Sequence, residues 1–351
     1  MRRIKQCFGV LALAAFAAAS VVSAGSASAA TQGAVRTKAQ WQAAIANVRQ
    51  PGAGCYRASY PTLRWHAVKC VTAPKFPLAP RSAGSARPAV TQIVGNGHDY
   101  SAQVSGLISK AVGTFKNVSP TNITEKGKID NTGSKVANAF SLQLNTQFFS
   151  GSPACSGSGD PSNCLAWQQF VYAKESGVGF VFMQYWLINY DATCPNGWFT
   201  YSTDCYTNSN SATLSKPLTA KNLATLKLTG SAASGGNDGI SLSVGSGSAT
   251  SVTNSDSEID LAANWNTTEW GVFGDAGGGE AYFGTNTSLE AETALTTTSS
   301  GAPTCVKEGF TGETNNLKLA HTPALGSESS PTMASTQTNG STGTASCATK
   351  A

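Results

Sequence analysis

"GFVFMQYWLINY", residues 179–190, is an almost unbroken apolar and aromatic run. Its length and its Phe, Tyr, Trp, Val and Ile content mark a central β-strand covered on both faces. Gln184 and Asn189 interrupt the run. A buried side-chain amide there needs hydrogen-bond partners, supplied by neighbours, water or a bound substrate.

The same texture extends outward on both sides. "AFSLQLNTQFF" (139–149), "AWQQFVYA" (166–173), "NLATLKL" (222–228), "GISLSV" (239–244), "SEIDLAA" (257–263), "EWGVF" (269–273), "EAYFG" (280–284) and "SLEAETAL" (288–295) are short alternating or apolar runs between Gly, Ser, Asn and Thr stops. Helical periodicity is nearly absent, and "YSAQVSGLISKAV" (100–112) alone is ambiguous between helix and strand. The spacing predicts an all-β protein, an antiparallel β-sandwich or jelly roll, as one domain over 91–351 with a Ser/Thr/Gly-rich C-terminal part. That tail is read as carrying no catalysis, with "TNNLKL" (314–319) as a candidate final strand.

Upstream lie two other regions. Arg2, Arg3 and Lys5 precede the apolar "CFGVLALAAFAAASVV" (7–22) and the small-x-small triplet Ala27-Ser28-Ala29, the pattern of a signal peptide over residues 1–29. The mature chain is expected to be secreted, soluble, monomeric and free of the membrane once the signal is cut. Export removes Cys7 and leaves eight cysteines, an even number suited to disulfides. Their spacing suggests the local pairs Cys55–Cys70, Cys155–Cys164, Cys194–Cys205 and Cys305–Cys347.

Charge divides the remainder. Residues 30–90 hold nine Lys/Arg and no acid, whereas 91–351 hold twelve Lys, no Arg and all nineteen acids. A basic piece that lies on an acidic piece, and lets go when acid protonates the carboxylates, would behave as a prosegment, with a boundary near residue 90. "VRTKAQWQAAIANV" (35–48) reads as a short helix, and the proline-rich "APKFPLAPRSAGSARPAV" (73–90) as an extended linker.

The usual catalytic constellations are missing. Three histidines, His66, His98 and His321, are scattered, so a Ser-His-Asp triad is poorly supported, and no His/Cys spacing offers a metal site. No Gly-rich loop opens a helix, no cofactor is expected, and the acidic second segment argues against nucleic acid. Carboxylates and side-chain amides remain. In "DSEID", Asp256, Glu258 and Asp260 would share one strand face. The fragment resembles the Glu-Ile-Asp core of jelly-roll endoglucanases and laminarinases, but Ala262 stands where that family has its second Glu.

A second, distant resemblance runs in order through much of the second segment. "DYSAQVSGLISKAVGTFKNVSP" (99–120), "NAFSLQLNTQFF" (138–149), "CLAWQQFVYA" (164–173) and "GFVFMQYWLINY" are similar to successive strands of the glutamic peptidases, the eqolisin-like family. "NTTEWGVFGD" (266–275) resembles that family's Ala-Glu-Trp-Ile-x-Glu-Asp signature, with the later acid replaced around Gly274. The resemblance implies a concanavalin A-like sandwich and a secreted acid endopeptidase acting on polypeptides. It implies Glu269 as the base that activates water and Gln168 as the oxyanion-side amide. Gln169, its neighbour, is the residue a one-residue register shift would select. Gln169, Gln184, Trp186 and Trp270 are then candidates to contact substrate. The competing reading is a lectin-like or carbohydrate-binding sandwich in which Tyr185, Trp186, Trp198 and Tyr201 stack on sugar rings. A glycoside hydrolase using Glu258 and Asp260 is the third.

Overall fold

A two-residue turn sets the centre of the fold. Ser176 and Gly177 both adopt left-handed backbone conformations, with φ of 50° and 79°. Such a turn matches the right-handed twist of a hairpin. It joins β8 (Leu165–Glu175) to β9 (Val178–Ile188), strands being numbered along the chain. The turn fixes their register, so that Trp167 faces Trp186, Gln168 faces Tyr185 and Gln169 faces Gln184.

The computed structural model describes residues 37–81, 100–119, 123–129, 133–327, 330–341 and 345–347. The expected signal peptide, His98 and the boundary near residue 90 lie outside them. Around the central hairpin the front sheet has the order β10 (Phe199–Tyr201), β11 (Asp204–Asn208), β9, β8, β7 (Ser141–Thr146), β16 (Thr267–Phe273), β3 (Tyr100–Gln103), β19 (Thr304–Lys307). A short strand, β12 (Ala212–Thr213), also pairs with β9.

The back sheet runs β2 (His66–Val68), β1 (Gly54–Ser59), β15 (Ser248–Ser255), β14 (Asn237–Val244), β13 (Leu226–Ser231) and β4 (Ile108–Lys116). It continues through β18 (Ser288–Thr297), β23 (Thr332–Thr338) and β21 (Lys318–Leu319), with β22 (Ala324–Gly326) also on β23. A small third sheet holds β20 (Thr314–Asn315), β17 (Glu280–Phe283), β5 (Glu125–Gly127) and β6 (Val136–Ala137). The two large sheets are antiparallel throughout, and the protein is an all-β sandwich.

Because side chains alternate along a strand, each front strand sends every second residue between the sheets. Phe170, Tyr172, Met183, Tyr185, Trp270 and Val272 pack there against Phe115, Leu228, Ile240, Leu242 and Val252 of the back sheet. Two glycines make room. Trp270 stacks on Phe115 with ring centroids 4.9 Å apart, and a Cβ at Gly113 would come within 2.3 Å of its indole. Gly230 stands in the same relation to Phe170, at 2.6 Å. Gly113→Ala should therefore destabilise the fold by about 1–3 kcal/mol, the usual cost of overpacking. A denaturation midpoint unchanged from the parent would contradict this packing.

The basic N-terminal region is woven into this sandwich. Helix α1 (Lys38–Ile45) begins at a capping box between Thr37 and Gln40 and buries Trp41 and Ile45. Strand β1 pairs with β15 along its whole length and β2 pairs with β1, so these two strands extend the back sheet. Described residues on both sides of the expected boundary thus belong to one compact unit. Residues 37–81 are part of the sandwich, while the expected boundary near residue 90 lies outside the described residues. The proline-rich stretch is not wholly a free linker: residues 73–81 lie along the front sheet.

The four expected disulfides are all present. "DSEID" is not a strand: Asp256–Glu258 and Leu261–Ala263 are single 3-10 turns, and Asp260 between them is left-handed at φ 61°. The three acids therefore do not share one strand face. The ambiguous stretch 100–112 forms β3 and the start of β4. The tail is more ordered than its composition suggests, since β23, with the sequence TMASTQT, pairs along β18. No helix among the described residues is long and apolar enough to cross a membrane.

Candidate active site

Directly opposed residues of antiparallel strands lie side by side, so matched registers carry a row of side chains across a sheet. On the outer face of the front sheet this row is Asn208 (β11), Gln184 (β9), Gln169 (β8), Asn145 (β7) and Glu269 (β16). Five polar residues in register is an arrangement the apolar patterning of a covered sheet does not require. Gln184, Gln169, Asn145 and Glu269 are each no more than 1% exposed. Their burial makes the hydrogen bonds between them obligatory.

Asn145 Nδ2 donates to Glu269 Oε2 at 2.8 Å and lies 3.2 Å from Gln143 Oε1. Gln169 Nε2 donates to the same Gln143 oxygen at 3.0 Å. Trp186 Nε1 donates to Gln169 Oε1 at 3.2 Å and Gln184 Oε1 at 3.0 Å. Glu269 and Gln169 thus sit on strands separated by β7, roughly 10 Å apart at two strand spacings. Asn145 and Gln143 bridge them.

A second carboxyl joins the network. Gln143 Nε2 lies 3.3 Å from Glu313 Oε2, which also accepts from the Thr311 hydroxyl. The N–H groups of Gly278 and Ala79 each donate to Glu313 Oε1 at 3.2 Å. Burial raises the Glu313 carboxyl to about 6, against the pull of these four donors. Residues 73–81 and the stretch around Phe310 cover the whole row, and the Phe310 N–H donates to Glu269 Oε2 at 3.2 Å.

The sequence-derived candidates separate by strand parity. Glu269, Gln169, Gln184 and Trp186 share the outer face; Gln168 and Trp270 point between the sheets. Gln168 is fully buried opposite Tyr185, its Nε2 3.6 Å from Met183 Sδ, and its amide lies near the Asp238 carboxyl. The expected pair of Glu269 with Gln168 is not formed, because the pleat sends adjacent residues to opposite faces. Trp270 belongs to the core and donates its Nε1 to the Thr114 carbonyl at 3.1 Å. Of the aromatics offered for sugar stacking, Tyr185 and Trp186 are fully buried, leaving neither ring face open to a saccharide.

Asn145, Gln143 and Glu313 were not singled out from sequence. For the first two a signal exists: "SLQLNT" alternates Ser141, Gln143 and Asn145 with leucines, and polar residues at period two define one face. Glu313 carries no such signal. It comes from the tail read as free of catalysis, and chain folding alone brings it to Gln143.

No family model and no curated protein matches the chain. Among solved structures it is distantly similar to scytalido-glutamic peptidase with a peptide-based transition state analogue. There the identity is 13% and the TM-score 0.32, over 69% of this chain and 98% of that one. It is likewise similar to SCP-B, a member of the eqolisin family of peptidases in complex with the tripeptide Ala-Ile-His. That match has 14% identity and a TM-score of 0.31, again over 69% of this chain and 98% of that chain.

Proposed function

We propose that the protein is a secreted, cofactor-free acid endopeptidase with Glu269 as its base and Gln169 as its amide partner. One observation carries this reading: a carboxylate and a row of carboxamides lie in register on one sheet face, directly beneath an extended stretch of polypeptide. Glu269 takes a proton from water as the water oxygen attacks a peptide carbonyl. The Gln169 N–H stabilises the oxyanion, and the protonated Glu269 passes its proton to the leaving amine as the C–N bond breaks. Asn145, bonded to Glu269, positions the carboxylate. The covered form is latent, because substrate reaches Glu269 only when the segments at 73–81 and 308–312 move.

The basic N-terminal region is the proposed prosegment, but the described contacts of its Lys75 and Arg57 side chains supply little of the expected charge-based clasp. Lys75 lies 5.9 Å from the Phe199 ring centroid, and Arg57 donates to the Thr213 carbonyl at 2.8 Å. Neither partner titrates in acid.

Digestion of acid-denatured protein at about pH 3–4, near the ordinary Glu pKa, tests the proposal. The two glutamines divide the outcome. Gln169→Ala should lower kcat by about 10²–10³, the usual loss for an oxyanion donor. Gln168→Ala should act mainly on stability, lowering the melting temperature while the folded fraction keeps its turnover. A reversed pattern would return the amide role to Gln168; an inert parent protein, tested after opening of the cover, would end the proposal.

A further inference from the structure

Residues 74–80 read Pro-Lys-Phe-Pro-Leu-Ala-Pro, with proline at every third position. That spacing is the period of an extended polyproline helix, which has no internal hydrogen bonds and leaves its peptide groups to outside partners. The front sheet and the segment just before β20 supply those partners in order. Asn208 Nδ2 donates to the Pro74 carbonyl at 2.8 Å and the Tyr206 hydroxyl to the Lys75 carbonyl at 2.8 Å. Gln184 grips two peptide groups: its Nε2 donates to the Phe76 carbonyl at 3.2 Å and its Oε1 accepts from the Leu78 N–H at 2.7 Å. Glu313 accepts from Ala79, and the Gly312 N–H donates to the Ala79 carbonyl at 2.8 Å.

These bonds go to main-chain atoms, so any extended peptide in the same path can make them. Selectivity must come from side chains, and one is fully enclosed. Leu78 is 0% exposed and packs with Val171, Ala173, Phe182 and Ala276, a cluster separate from the core between the sheets. Val171 and Ala173 follow Gln169 at two-residue steps on the same face of β8, so the pocket adjoins the proposed amide. The side chains that pack with Leu78 in this cluster are apolar. A charged side chain there would be taken out of water against these apolar neighbours, which disfavours it.

We infer that residues 74–80 are an internal ligand occupying the peptide-binding groove, and that the pocket around Leu78 selects substrates with an aliphatic residue at that position. The inference rests on the peptidase reading for calling the ligand a substrate, but the groove and its selectivity are tested by binding alone. A tethered segment competes at an effective concentration of about millimolar, so the unaltered protein presents its groove filled.

The probe is a fluorescein-labelled peptide of residues 72–81, TAPKFPLAPR, together with a copy carrying Asp in place of Leu, both at pH 7. Leu78→Asp in the full chain expels the segment, and the folded variant should bind the Leu peptide at least tenfold more tightly than the parent does. The Asp peptide should bind it at least tenfold more weakly than the Leu peptide. Equal binding of both peptides, binding of neither, or no difference between variant and parent would overturn the inference. Hydrogen exchange in the unaltered protein reads the same point without a variant. Millimolar Leu peptide should speed exchange of the Leu78 and Ala79 amides while the Asp peptide leaves it unchanged, and no acceleration by either would also overturn it. Peptide binding with no hydrolysis of any substrate would instead retain the groove and remove the peptidase.

Discussion

Glu269→Gln should abolish peptide hydrolysis, lowering kcat by at least about 10³-fold at pH 3–4, because the side-chain amide cannot take the proton from water. The change is nearly isosteric. Glu269 Oε2 accepts from Asn145 and from the Phe310 N–H, and an amide oxygen can accept both, so the row should keep its register. Stability should shift by no more than about 1 kcal/mol, the scale of one hydrogen bond, which separates loss of chemistry from loss of fold. The control is Glu313→Gln, since Glu313 is the other carboxyl of the network. It is held by donors from three segments, near residues 79, 278 and 311, and by Gln143, so it acts as a structural acceptor for the cover. That variant should retain turnover once the cover is displaced. Activity surviving in Glu269→Gln but lost in Glu313→Gln would transfer the base to Glu313.

How far the sequence reveals this site depends on which physical signal each residue carries. The β-sandwich was legible because its strands are short apolar runs separated by turn residues, and cysteine spacing foreshadowed the four bridges. Glu269 was offered by "NTTEWGVFGD" through its resemblance to a peptidase signature, and the structure places it in the outer-face row. The choice between Gln168 and Gln169 hinged on strand parity. The deciding signal was present in the Ser176-Gly177 turn, which pairs Gln169 with Gln184, another amide, and Gln168 with an aromatic core residue. "SEIDLAA" misled because its alternation suits a strand, while tertiary contacts hold it in turns: the Ala262 N–H donates to Asp256 Oδ1 at 2.9 Å. The path of residues 73–81 was not legible at all. Proline spacing predicts an extended chain but says nothing about what that chain lies on.

Stability should fall as pH rises from about 4.5 to 8, and the sign follows from carboxyls buried in the folded chain. Burial raises Glu125 to about 8, the nearby Asp275 adding to the effect and Lys174 opposing it, and burial raises Glu313 to about 6. Burial, with Asp256 beside it, also pushes Asp238 well above the ordinary carboxylate range. A group with a raised folded pKa keeps its proton in the native state where the unfolded chain would release it. Its contribution is complete below the unfolded pKa of about 4.3 and disappears as pH climbs through the folded value. At about 1.4 kcal/mol per pH unit, Glu313 accounts for roughly 2 kcal/mol between pH 4.5 and 6, and Glu125 for up to roughly 5 kcal/mol by pH 8. Melting temperature should then drop by about 10 °C or more between pH 4.5 and 8, given a few degrees per kcal/mol. Thermal unfolding in the Glu269→Gln background, which prevents self-digestion, measures the slope. Glu125→Gln should flatten it above pH 6, because the replacement has no proton to lose. A profile flat or rising toward neutrality in the parent would mean these carboxyls ionise in the folded chain, and would remove the physical link between its interior and work in acid.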